Sequence, residues 1–467
     1  MSRSLVWTLL IAAGFALVAP RQASAQEPIP TRPRGDISAL TLYREQGSKA
    51  PAAEIKKARE MLKSFAQYYS DVIAHPLLWK SPQDIRAEIP PQFPFNALDG
   101  EKGVFKDMDR LLLVPEVNGK FTAEQADYVR DLGAELDKAL SNLIQTNQEK
   151  VVRINACRAL AHVARTGAPA HYETITPLVA SPDTPPELKQ YALQAAGALL
   201  SAIDATEPKV RKHSGDAKAV GALVKALEDC VNTPGLLVPG FKADTATGDQ
   251  FVVVAFMRRQ AVRALGNAKF ATLPGPDGLA PLFPAYTLAR VALGDETFVP
   301  LPGPAEAAEA VIGLCNMQPP PPKGAKYNAD VAVEAVVAGL YRFAAPRATN
   351  PGDRTLPWRH YSIRLAEALR AWRGLFDPDF DPTQPNGYNA ALVPPALADL
   401  YKEVLPKVLA PIERVDANGK PDATARVEVE TVLRDRLRTM RASPNRSKTL
   451  FTGVPGTNVE FALAKKP

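Results

Sequence analysis

Residues Arg153 to Leu160 read RINACRAL, and residues Arg258 to Leu265 read RRQAVRAL. Five of the eight positions agree at an offset of 105 residues. Around this kernel runs an apolar stripe: Val152, Ala156, Ala159, Leu160 and Val163 in one copy, Met257, Ala261, Ala264, Leu265 and Ala268 in the other. Spacings of three and four residues put each set on one side of an α-helix, with Asn155, Arg158 and His162 (Gln260, Arg263 and Asn267) on the polar side. An offset of 36 from the first copy finds Leu188, Ala192, Ala195, Ala196 and Leu199; one of 151 finds Gly303, Ala307, Ala310, Val311 and Leu314; one of 209 finds Tyr361, Leu365, Ala368, Leu369 and Trp372. A helix that buries one stripe is unstable alone, so a chain that repeats it must stack the copies. The small residues in mid-stripe allow neighbouring helices to approach closely.

Each template helix follows another amphipathic segment: 122–145, 172–180, 216–230, 278–293 and 329–342. The implied unit is a helical hairpin repeated about five times, with insertions inside the hairpins at 231–250, 294–304 and 343–357. The stretch VRINACRALAHV resembles the second helix of a HEAT or armadillo-like repeat of exported bacterial type. The resemblance covers roughly residues 122–375. It implies an all-α fold, an α-α superhelix (solenoid) of HEAT-like helical hairpins with helical caps, and a role as a binding scaffold. A few related solenoids act as lyases or in cofactor attachment.

The repeat also answers what Cys157 and His162 do. Cys157 stands where other copies hold Val262 and Leu193, so it reads as a small buried apolar residue. His162 stands where other copies hold Asn267 and Ala198, and a position that accepts alanine is not reserved for a ligand. Arg153 and Arg158 fall on turns and polar faces.

The flanks define the rest. Arg3, the uncharged run Leu5 to Val18 and the small residues Ala23 to Ala25 read as a secretory signal spanning 1–25. That run is too short to be read as a membrane span, and the expected location is periplasmic or extracellular. Residues 26–51 read as a flexible Pro-rich N-terminus, 52–121 as an N-terminal helical cap built on a helix at 52–74, 376–442 as C-terminal helices or cap, and 443–467 as a tail. The formal charge is +6, with 56 Lys and Arg against 50 Asp and Glu. Removing Arg3 and Arg21 leaves 54 against 50, or +4, too mild a balance to favour nucleic acid or anionic membrane. The 44 prolines gather between helical segments, as in SPDTPPE and QPPPP, where proline ends one helix or opens the next. Three widely spaced cysteines, Cys157, Cys230 and Cys315, cannot all pair internally and are expected free.

No motif assigns chemistry, and the reading holds no catalytic, cofactor or metal residue. Histidines 75, 162, 171, 213 and 360 form no H-E-x-x-H or H-x-H pair, and no G-x-S-x-G or P-loop is present. His213, Ser214 and Asp216 are adjacent in sequence, whereas triad members converge from separate elements. Asp377, Asp379 and Asp381 alternate as hard-cation ligands do, but Pro382 and Tyr388 stand where an EF-hand loop requires Gly and Glu. The first functional expectation is a non-catalytic scaffold for a protein or cell-envelope component, with oligomeric state open. The alternatives are a hydrolase or lyase with its site on one face or in the inserted loops, and a small-molecule or sugar-binding module. Insertions on one edge of a repeat stack often carry the binding surface, so Phe241, Phe298, Arg354 and Trp358 are its candidate contacts.

Overall fold

A computed structural model describes residues 29–35, 37–79, 95, 98–100, 103–112, 122–205, 217–278, 280–317, 326–349, 357–376, 400, 405–414, 422–443, 449–452, 454 and 457. Seventeen helices are present among them. In chain order they are α1 (Ile37–Gln46), α2 (Ala52–Ala74), α3 (Pro76–Trp79), α4 (Val104–Leu111), α5 (Ala123–Thr146), α6 (Lys150–Val163), α7 (Ala170–Ala180), α8 (Pro186–Ala205) and α9 (Ala217–Asn232). There follow α10 (Pro234–Leu237), α11 (Gly248–Gly266), α12 (Pro284–Leu293), α13 (Pro304–Asn316), α14 (Ala329–Thr349), α15 (Trp358–Phe376), α16 (Leu405–Glu413) and α17 (Ala423–Ala442). The sheet among the described residues is a two-stranded antiparallel pair, β1 (Lys326–Tyr327) with β2 (Phe451–Thr452). The overall character is all-helical, as the stripes require.

The helices touch in two successions. In one, α2, α5, α7, α9, α12, α14 and α17 each pack on the next; in the other, α6, α8, α11, α13, α15 and α16 do. Rungs between the successions pair α5 with α6, α7 with α8, α9 with α11, α12 with α13, and α16 with α17. The template stripes face inward throughout: Val152, Ala156, Leu160, Ala192, Leu199, Ala261, Leu265, Ala310, Leu314, Leu365 and Leu369 are no more than 1% exposed. Small residues permit the close crossings. A Cβ built on Gly266 would lie 2.7 Å from Gly313 Cα, so α11 and α13 meet backbone to backbone.

Helix ends follow local chemistry. Thr122 and Thr247 open α5 and α11 with capping boxes completed by Gln125 and Gln250. Pro284 and Pro304 stand in the first turns of α12 and α13, where the missing N–H costs nothing. Gly294 closes α12 in the left-handed conformation (φ +73°).

Several expectations change. The segment expected at 278–293 becomes helical only at Pro284, because Leu273 and Leu282 pair as an isolated antiparallel bridge. The helix expected to stop at Arg342 runs on to Thr349, since Phe343 and Ala344 continue its buried face. Much of the insertion read at 343–357 is therefore helix. In the fifth unit α14 packs chiefly on α12, α13 and α17 rather than on α15. Residues 26–51, read as flexible, contain α1, whose Ala39, Leu40 and Tyr43 are buried and which packs on α2 and α5. In the tail, Phe451 is buried against Phe283 (ring centroids 4.9 Å apart) and Tyr327 (5.6 Å). The signal segment, His213–Asp216 and the aspartates from 377 lie outside the described residues, as does much of the C-terminal region expected at 376–442 and most of the tail.

Candidate binding groove

Helices α2 and α5 are long, at 23 and 24 residues, and each has a polar face of helical spacing. On α2 this face carries Lys56, Glu60, Lys63, Gln67 and Ser70; on α5 it carries Asp127, Arg130, Glu135, Lys138, Ser141, Asn142 and Gln145. Buried Leu62, Phe65, Tyr69, Leu132, Leu136 and Leu140 hold the opposite faces in the core. Two open clefts run along this α2–α5 seam. The first, about 520 Å³, lies between the N-terminal halves and is lined by Tyr43, Lys56, Arg59, Lys63, Asp127, Arg130 and Glu135 among others. The second, about 700 Å³, lies toward the C-terminal halves and takes in Glu173 and Thr174 of α7. Lys63 and Glu135 line both clefts, which join them into one groove.

The cation-bearing half is internally tied. Arg59 Nε and the Tyr43 hydroxyl both donate to Asp131 Oδ2 at 2.8 Å, and Arg130 pairs with Asp127 at 2.9 Å. Burial and then Asp131 push the Tyr43 phenol up to about 12, so it stays protonated and donates. In the other half, Gln67 donates to Asp71 and Gln145 to Ser141.

The groove floor contains a buried polar chain. Thr166 Oγ1 lies 3.1 Å from His171 Nε2, His171 Nδ1 lies 2.7 Å from Asp137 Oδ1, and the Thr174 hydroxyl donates to Asp137 Oδ2 at 2.7 Å. With Nδ1 protonated, each of these contacts has a donor and an acceptor. Hydroxyl, imidazole and carboxylate in series is the order of a nucleophilic triad. Thr166, however, is 8% exposed and does not line the groove. Gly133 packs against its hydroxyl, which an added Cβ would approach to 2.6 Å. The chain instead pins the α6–α7 turn to α5.

His162, on the polar side of α6, makes a packing contact. Its Nε2 is 2.7 Å from Asp109 and its ring stacks on Phe105 (4.4 Å, 11°). Burial, and then the Arg165 guanidinium, hold its pKa below the usual imidazole range. Arg158 and Arg165 bind Asp99 and Asp109, so these polar groups fasten Asp99 and α4 onto α6 and the turn that follows it.

The edge residues fare differently. Phe298 is 4% exposed, with Arg258 and Arg290 over its ring at 5.4 and 4.7 Å. Trp358 is 4% exposed and stacks on Phe343 at 4.5 Å. Neither offers surface to a partner: Phe298 is enclosed beneath the two guanidinium groups, and Trp358 lies between Phe343 and Arg426. Phe241 is half-buried and meets Phe251 edge-on at 5.4 Å. Arg354 lies outside the described residues. Among the described residues of these insertions, the exposed large apolar side chains are Val299 and Leu301.

Among the described residues no group of three or more His, Cys, Asp or Glu side chains is arranged to hold a metal ion, and no helix is long and apolar enough to cross a membrane. No known protein family, curated protein or solved structure matches the chain. The groove was legible only as two polar helix faces, and the sequence reading placed α2 in a cap. What identifies it is that α2 and α5 lie side by side with those faces on the same side of the molecule.

Proposed function

We propose that the chain is an exported, non-catalytic solenoid of HEAT-like helical hairpins that binds another protein of the cell envelope along the α2–α5–α7 groove. The observation that carries this reading is the continuous groove of two joined clefts, with charged and amide side chains along both walls. Two successions of contacting helices, with template positions in the core, support the repeat architecture. Export rests on the basic start, apolar run and small-residue site before Gln26. A sugar site is disfavoured because Tyr43 is the aromatic residue lining the groove, and its hydroxyl is engaged by Asp131.

The test places a photo-crosslinking amino acid at Gln67 or Asn142, or at exposed Val427 as a control, in the protein expressed in its own host. A discrete protein adduct from the groove positions and none from Val427 is expected. Adducts equal at all three sites, or absent from the groove, would overturn the reading. N-terminal sequencing of the recovered protein should begin at Gln26, and a chain beginning at Met1 would refute export by this signal.

A further inference from the structure

We infer that the groove's occupant is an extended peptide segment of about six to eight residues, held mainly through its main chain. This rests on the binding reading above and specifies what is bound. Residues early in α2 and α5 share the first cleft and residues late in both share the second, so the two helices run parallel and the groove follows their axes. From Lys56 to Ser70 the α2 wall is ~21 Å long, and from Asp127 to Gln145 the α5 wall is ~27 Å, at ~1.5 Å per helical residue. An extended chain covers that distance in about six to eight residues at ~3.3 Å each.

Charge narrows the class further. Lys56, Lys63 and Lys138 face Glu60, Glu135 and Glu173, three of each sign, and none of the six takes an ion pair among the described residues. A ligand of one sign, such as a nucleic-acid backbone or an acidic lipid, gains nothing from such a field, whereas a dipolar main chain is matched by it. Gln67, Ser70 and Asn142 add groups that both donate and accept, as a peptide main chain requires at each residue. Ser70 does so from a site only 4% exposed. A bound helix would need pockets for large apolar anchors at helical spacing, whereas the apolar members of the lining are Ile55 and scattered alanines (Ala52, Ala66, Ala134, Ala139 and Ala170).

Two displayed libraries test this on the full-length mature protein: unconstrained linear dodecapeptides, and variants of a folded helical domain. Binders are re-measured on Gln67→Ala/Asn142→Ala and, separately, on Lys138→Ala; all three side chains are exposed, and circular dichroism checks that each variant keeps its helices. Linear peptides that lose at least tenfold affinity on these variants, and at least tenfold again when core peptide nitrogens are methylated, would support the inference. Groove-dependent binders drawn only from the folded library, or linear binders indifferent to N-methylation, would overturn it while leaving protein binding at the groove intact. Binders that ignore both variants, or no binders from either library, would overturn the inference and the groove reading together.

Discussion

Glu228 lies on α9 at 9% exposure, and its Oε1 accepts a hydrogen bond from Thr287 on α12 (3.1 Å). Burial raises its pKa to about 7, against the smaller opposing effect of the Thr287 hydroxyl. The folded state therefore holds a proton that the unfolded chain releases, so stability declines as pH rises from about 4.5 to about 7 and levels off above. Glu228→Gln keeps an acceptor for Thr287 and removes the charge. Urea midpoints of this variant should be flat across that window, with a gain of roughly 1–3 kcal/mol over the parent at pH 8; parallel pH profiles would refute the assignment. Asp137 carries the opposite expectation. Asp137→Ala strips acceptors from His171 and Thr174 in a buried site and should destabilise by ~2–4 kcal/mol. An unchanged thermal midpoint would mean that water replaces the carboxylate. Lys189, fully buried, donates to the Ser181 carbonyl at 2.6 Å and to that of Leu236, and thereby closes the end of α7 against α10.

Between elements, the α11–α13 contact is fixed by glycine and by buried charge. A Cβ on Gly313 would meet Leu288 Cδ1 at 2.7 Å and Gly266 Cα at 2.8 Å. Gly313→Ala gains up to ~1 kcal/mol of helix propensity but overpacks a backbone contact, at ~1–3 kcal/mol. The net expected from denaturant titration is a loss. Gly235→Ala, where a Cβ meets nothing within 4 Å, should be neutral, and a stabilised Gly313→Ala would show that the helices are free to separate. About two turns away, Arg258 Nε donates to Glu306 Oε1 at 2.6 Å with both side chains buried, and Nη1 and Nη2 have no hydrogen-bond partner among the described residues. Glu306→Ala leaves that guanidinium buried and uncompensated, an expected cost of ~3–5 kcal/mol. Arg258→Met combined with Glu306→Leu should recover most of it, and a double variant as unstable as the single would contradict this account. Farther along α13, burial raises the Glu309 pKa, but the guanidinium groups of Arg364 and Arg263 outweigh it and hold the group ionised, so one carboxylate joins α11, α13 and α15.

At the scale of the whole molecule, the three cysteines report on packing in three places. Cys157, Cys230 and Cys315 are free, buried and on different helices, as the sequence reading expects. Burial pushes the Cys157 thiol up to about 12 and the Cys230 thiol up to about 11, and raises that of Cys315 as well. Thiolate is the reactive form, so an aromatic disulfide reagent should find no fast thiol in the native protein and three after denaturation without reductant. A native thiol that reacts within seconds would mean that a helical layer opens locally.

The helical character of the chain and the inward face of the template helices were legible before any fold was known. These follow from local periodicity, because the 3.6-residue repeat dictates which side chains share a face before any neighbour is known. The Gly266–Gly313 crossing lies off the template stripe and is a product of the packing. Burial of large rings was not legible in the same way. Phe298 and Trp358 lie in Pro-rich segments that read as exposed loops, and only three-dimensional packing shows arginines and Phe343 closing over them. The groove also belongs to tertiary structure alone. Its two walls are separated in sequence by residues 75–122, and a polar helix face reads the same whether it meets bulk water or lines a cleft. Only the parallel docking of α2 on α5 turns two such faces into one site.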